Sequence, residues 1–120
     1  MEDAIIIIED LQVWPEDLGK MTWGEALDAM AALGPNWRAP TLDEFKRILL
    51  PNVSKIPNVR ASKWQLASYW SSTEYDLNNM YCFNFGETYI PAYVKTTPRY
   101  LLAVRDFNGN SAITYLFKDF

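Results

Sequence analysis

Residues 69–86 read YWSSTEYDLNNMYCFNFG, and the fold turns on which parts of this stretch are strand and which are turn. The second half alternates. Tyr81, Phe83 and Phe85 fall on one face and Met80, Cys82 and Asn84 on the other, the two-residue period of a β-strand. The first half sends Tyr69 and Trp70 into Ser71, Ser72, Thr73 and Glu74, a run whose hydroxyls suit a turn, where they satisfy backbone groups while Trp70 fills a core. The same run has the residue types of a nucleophile beside a carboxylate. However, the chain has no histidine, and no neighbouring lysine is there to take the hydroxyl proton. The stretch marks a fold and not a reaction.

Working outward, the chain divides into strands, two helices, a loop region and more strands. Ile5 to Ile8 and Leu11 to Trp14 read as two short strands joined at Glu9-Asp10. Thr22-Trp23-Gly24-Glu25 is a capping box. After it, Trp23, Ala26, Leu27, Met30 and Leu33 recur at helical spacing until Gly34-Pro35 stops the helix, which predicts a helix over 22–33. A second capping box, Thr41-Leu42-Asp43-Glu44, opens a second helix with Leu42, Phe45, Ile48 and Leu49 on its apolar stripe and Pro51 at its end. Trp37, in the connection GPNWRAP, is placed to plug the gap between the helices. Residues 51–68 have no clean period and read as loop. Beyond residue 86, YIPAYVKTT is a strand interrupted by Pro91, and RYLLAVRDF is a strand. Asn108-Gly109 is a hairpin-turn signal, and 112–117 is a returning strand. Trp23, Leu27, Met30, Trp37, Phe45, Leu49, Trp70, Phe83 and Val104 are expected to share one core.

The 120 residues are expected to form a single domain, 1–120, able to bury a core without staples. Hydrophobic residues make up 49% and aromatic residues 15%, so the aromatics must fill a core or furnish a recognition surface. One cysteine, Cys82, rules out an intramolecular disulfide. Eleven basic residues against fifteen acidic ones, none clustered, leave no nucleic-acid footprint. No segment approaches the roughly twenty apolar residues of a membrane span. The acidic N-terminus differs from the basic start of a secretory leader, so the expectation is cytoplasmic synthesis with possible virion incorporation, or the cell surface if a leader was removed. Without histidine there is no imidazole metal site and no proton shuttle at neutral pH. No cofactor, metal or catalytic residue is expected.

Three stretches together, MTWGEALDAMAALGPNWRAPTLDEF (21–45), YWSSTEY (69–75) and AVRDF (103–107), resemble the C-terminal lectin-like domain of collagen-like bacterial adhesins. The match runs in order over about residues 11–107, with Ala39 where that family commonly has leucine. The resemblance implies an α+β, C-type-lectin-like fold related to the sulfatase-modifying factors. Two short helices would pack on a small mixed or antiparallel sheet with long loops and adjacent termini. It also implies a bacterial or phage setting and an adhesin-like role. Enzymes of the sulfatase-modifying type hold copper with a cysteine pair, which one cysteine cannot supply. Arg38 and Arg105 match polar positions of the family, and both are expected to be paired internally, with Glu44 or Glu74 as candidate partners.

The segment 75–97 is left as the binding surface. Tyr75, Asp76, Asn78, Asn79, Asn84, Glu87, Thr88, Tyr89, Tyr93 and Lys95 are its outward-facing candidates, and Tyr and Asn are the residue types binding loops favour. An ordinary solvated loop accounts for them equally well. An oxygen-rich Asp76, Asn78 and Asn79 could coordinate calcium, but turn chemistry explains these residues. The expected function is non-enzymatic recognition of a saccharide (carbohydrate binding) or a protein surface. The alternative is a structural or receptor-binding component of a phage virion or prophage-encoded assembly, with homo-oligomerisation.

Overall fold

A computed structural model describes residues 6–56, 67–86 and 90–107, which form an α+β domain with two helices and two sheets. Ile6–Ile8 (β1) and Leu11–Val13 (β2) make the expected hairpin around Glu9-Asp10. Glu9 takes φ 55, the left-handed conformation a tight turn requires. On its other edge β2 pairs antiparallel with Val104–Asp106 (β8), giving a small sheet in the order β1-β2-β8. The last described strand therefore lies on the second strand of the chain and not on the first. The chain ends, the Asn108-Gly109 turn and the 112–117 strand lie outside the described residues.

The larger sheet runs Lys20–Met21 (β3), Arg99–Tyr100 (β7), Tyr69–Asp76 (β4), Asn79–Phe83 (β5) and Ala92–Val94 (β6) in spatial order β3-β7-β4-β5-β6. Its pairings are antiparallel except for β4 with β7, so the sheet is mixed. Ser71 to Glu74 lie within β4 and not in a turn. The turn comes later, at Leu77-Asn78. RYLLAVRDF is also not one strand. It serves the larger sheet at Arg99–Tyr100 and the smaller at Val104–Asp106, and between them Leu101 to Ala103 crosses over. There, backbone hydrogen bonds to Trp14, Leu18 and Gly19 keep the buried peptides satisfied.

Both capping boxes form. Thr22 accepts from the Glu25 N–H and opens α1 (Trp23–Leu33), and Gly34 at φ 121 ends it. Thr41 accepts from the Glu44 N–H and opens α2 (Leu42–Glu44). The chain then widens into a π turn, Phe45–Leu49, and tightens into a 3₁₀ turn, Leu50–Lys55. Pro51 does not end the helix. It sits in the first positions of the 3₁₀ turn, where its missing N–H has no partner to lose.

Two apolar clusters flank the larger sheet, not one. Tyr69 and Trp70 are neighbours on β4 and fully buried, yet Tyr69 belongs to one cluster and Trp70 to the other, because successive strand residues point to opposite faces. The first cluster joins Phe45, Ile48 and Leu49 to Tyr69, Phe83, Phe85, Leu102 and the small sheet. The second joins Ala26 and Met30 of α1 to Trp70, Met80, Cys82, Leu101 and Ala103, with Trp14, Trp23 and Trp37 packed against it. The single expected core is thus divided. Leu27 belongs to neither part and is 49% exposed. Trp37 meets Trp14 edge-on at 5.2 Å, which is its contribution between the helices and the sheets.

Candidate functional site

The register of β4, β5 and β6 decides which predicted residues share a surface. Cross-strand partners project from the same face. Glu74, Met80 and Tyr93 form one row, and Asp76, Asn79 and Val94 form the next. Plain alternation would put Glu74 and Asp76 on one face. The register shift between them turns Asp76 to the other side, as a bulge does.

One face therefore carries Asp76, Asn79 and Val94, with Tyr81 two residues beyond Asn79. Tyr75 joins them through an edge-on contact with Tyr81 at 5.3 Å. Further along this face Phe83 stacks on Phe45 at 4.9 Å beneath the second helical segment. Towards the hairpin tip the same face has no such cover, and Tyr75 is 57% exposed, Val94 47% and the tip residue Leu77 80%. The polar residues between them are fixed. Asp76 accepts from the Asn78 N–H at 2.9 Å and from Asn79 Nδ2 at 2.8 Å. These bonds, Asn79 first, hold its carboxyl below the usual range. The oxygen-rich loop is thereby closed on itself, and no group of three or more metal-ligating side chains occurs among the described residues.

The other face carries Tyr93 and Lys95. Lys95 Nζ reaches the Leu77 carbonyl at 2.7 Å and Glu74 at 3.4 Å, tying the tip to the turn after β6. The Arg99 guanidinium lies on the Tyr93 ring, 3.7 Å from its centroid. Asn84 belongs to neither surface. It was expected to face outward but is completely buried, its Oδ1 accepting from the Gly86 N–H at 2.7 Å. The short turn it caps draws the side chain inward. Glu87, Thr88 and Tyr89 lie outside the described residues. Of the predicted surface, Tyr75, Asp76 and Asn79 share one face, Asn78 sits beside them in the turn, and Tyr93 and Lys95 are on the reverse side; Tyr81 and Val94 are additions to that face, with Leu77 exposed at the adjoining tip.

The hydroxyl run is occupied structurally. Ser71 is buried and donates to the Tyr81 carbonyl at 2.7 Å while accepting from the Thr73 N–H at 3.1 Å, which satisfies the irregular ladder at the first register shift. Thr73 accepts from the Leu42 N–H at 3.0 Å, so β4 helps to cap α2. Arg38 pairs with Glu44 as expected and also with Asp106. Arg105 has an amide partner, Gln12 Oε1 at 2.9 Å, and covers the Trp37 ring. It pairs with neither Glu44 nor Glu74, because its strand lies beside β2, opposite Gln12.

A second feature went unseen in the sequence. An open groove of about 580 Å³ lies between α1 and the segment that follows it. Trp23, Leu27, Met30 and Trp37 supply its apolar wall, and Arg38 and Ser72 line it as well. Helical spacing marks Trp23 and Leu27 as one stripe but does not say that nothing covers its outer part.

No family model and no curated protein matches the chain. No helix among the described residues is long and apolar enough to cross a membrane.

Proposed function

We propose that this protein is a non-enzymatic binding domain that recognises a protein surface through the uncovered end of its larger sheet. The observation that carries this reading is the exposed set Tyr75, Leu77 and Val94 around the fixed Asp76–Asn79 pair. Exposed apolar groups gathered in one place, rimmed by polar ones, mark interaction surfaces. Tyr75 offers a rigid contact at small entropic cost, and aliphatic Leu77 and Val94 suit side chains of a partner better than a sugar. The hairpin is held at both ends. Trp70 Nε1 donates to the Met21 carbonyl at 2.8 Å, and Lys95 braces the tip, so little order need be gained on binding.

A saccharide is the second reading, and the Trp23–Trp37 groove favours it: indole rings offer faces for a sugar ring, and Ser72 offers a hydrogen-bonding hydroxyl. The C-type-lectin-like architecture forms part of the same proposal. Its support is the return of β8 to the N-terminal hairpin and the long β4–β5 hairpin at the centre of the second sheet.

The test is a screen of the immobilised protein against panels of purified bacterial and host surface proteins and of glycans. The proposal expects a saturable protein partner that is lost with Tyr75→Ser plus Leu77→Ser and kept with Leu27→Ser. A glycan ligand lost only with Leu27→Ser or Trp23→Ala moves the site to the groove. Self-association lost with the tip variant marks a homo-oligomeric assembly component instead.

A further inference from the structure

On the reverse face of the same sheet, Arg99 is a stacked cation whose Nε has no hydrogen-bond partner. Its cross-strand partner is Met21, which packs against the second cluster, so the Arg99 side chain leaves the sheet on that side. It reaches across onto the Tyr93 ring, with Cζ 3.7 Å from the ring centroid. Its Nε is buried and hydrogen-bonds to nothing, and among the described residues no carboxylate pairs with it. Two comparisons within the molecule set it apart. Arg105 is also stacked on an aromatic ring, but its Nε is satisfied by Gln12. Lys95, on the same face as Arg99, is already engaged by Glu74 and the Leu77 carbonyl.

A buried donor ordinarily has an acceptor, and a guanidinium presents its donors as a fixed fork that matches the two oxygens of a carboxylate. Contact with Tyr93 restrains the guanidinium, so less rotamer freedom is lost when an acceptor arrives. A multiply charged anion suits the position poorly, because Glu74 stands on the same face and the chain carries a net charge of −4. We propose that Arg99, held against the Tyr93 ring, anchors a site for a single carboxylate on a small ligand. The site lies on the opposite face from the protein-recognition surface and does not depend on it.

Titration followed by arginine side-chain NMR tests this with two carboxylate probes, D-glucuronate for an acidic sugar and N-acetylglycine for a peptide chain end, and with the methyl ester of glucuronate as the neutral control. At least one acid is expected to saturate with a shift of the Arg99 side-chain signals, and the ester is not. Affinity should fall roughly tenfold or more in Arg99→Gln and less in Arg99→Lys, since the lost bond is charge-assisted. Which acid binds identifies the source of the carboxylate. Saturation by neither acid, equal binding of the ester, or unchanged affinity in folded Arg99→Gln overturns the proposal. Should Arg99→Gln fail to fold, the acid-against-ester comparison on the wild type decides alone.

Discussion

Arg38 and Glu44 meet in a two-point fork, Nη1 to Oε1 at 2.7 Å and Nη2 to Oε2 at 2.8 Å. The same Glu44 oxygen accepts from the Thr41 N–H at 2.9 Å, and Arg38 also donates to Asp106 at 2.8 Å. One carboxylate thus completes the cap of α2 and fastens it to β8. The Arg38 charge is held well above its ordinary range, first by the hydrogen bond to Glu44. For Glu44, burial pushes the carboxyl up, but the Arg38 and Thr41 bonds outweigh it and the net shift is downward from 4.5. A lowered folded value means stability that is present above the unfolded value and lost as pH falls through the folded one.

Glu44→Gln should therefore destabilise the protein at neutral pH by about 1–3 kcal/mol, the range for a charge-assisted bond with a partly buried partner. Urea unfolding of both proteins from pH 7 to pH 3 checks this. The difference should shrink as pH falls beneath the ordinary carboxylate range and through the lowered range of the wild-type carboxyl. A difference that stays constant across the range would show that the charge is not what matters.

Trp70 and Leu27 separate the two roles that helical and strand periodicity assign alike. Trp70 is fully buried and meets Trp23 at 5.7 Å, whereas about half of Leu27 is exposed. Trp70→Ala should cost about 3–5 kcal/mol, and Leu27→Ala should change stability by less than about 0.5 kcal/mol. Chemical denaturation measures both.

Cys82 is buried, and it should be inert in the folded protein. Burial pushes its thiol up to about 12, only partly countered by the Arg99 charge. A thiol reagent at pH 8 should modify it only in denaturant. A raised folded value also means stability that is complete below the unfolded thiol value, near 9.0, and declines as pH rises towards 12. Cys82→Ala should lose that alkaline component, so the two stability curves converge above about pH 9.

Much of this fold was legible because its signals are local. A capping box needs four residues, and both were present at Thr22 and Thr41. The alternation of Met80 to Phe85 assigns faces correctly, with Met80 and Cys82 in one cluster and Phe83 and Phe85 in the other. Arg38 found Glu44 only six residues away. What stayed hidden depends on relations between distant segments. The period within β4 cannot reveal the register shifts against β5, and one of these shifts puts Asp76 on the face opposite Glu74. The crossing at Leu101 to Ala103 reads as uninterrupted strand because it is buried and extended like one. A continuous apolar run also cannot say that Tyr69 and Trp70 will face two separate clusters. The residues nearest the turn, Tyr75, Asp76 and Asn79, share one face as their closeness in sequence suggests, whereas nothing local shows that Tyr93 and Lys95 project from the other side of the sheet.

The most direct measurement of the central proposal is a hydrogen-exchange footprint of the protein bound to the partner its surface selects from the protein panel. Amides of residues 74–81 and 92–95 should slow on binding, while those of α1 and residues 34–39 stay unchanged. Protection confined to α1 and the Trp37 segment, with the hairpin tip exchanging as in the free protein, would contradict recognition through the uncovered sheet face.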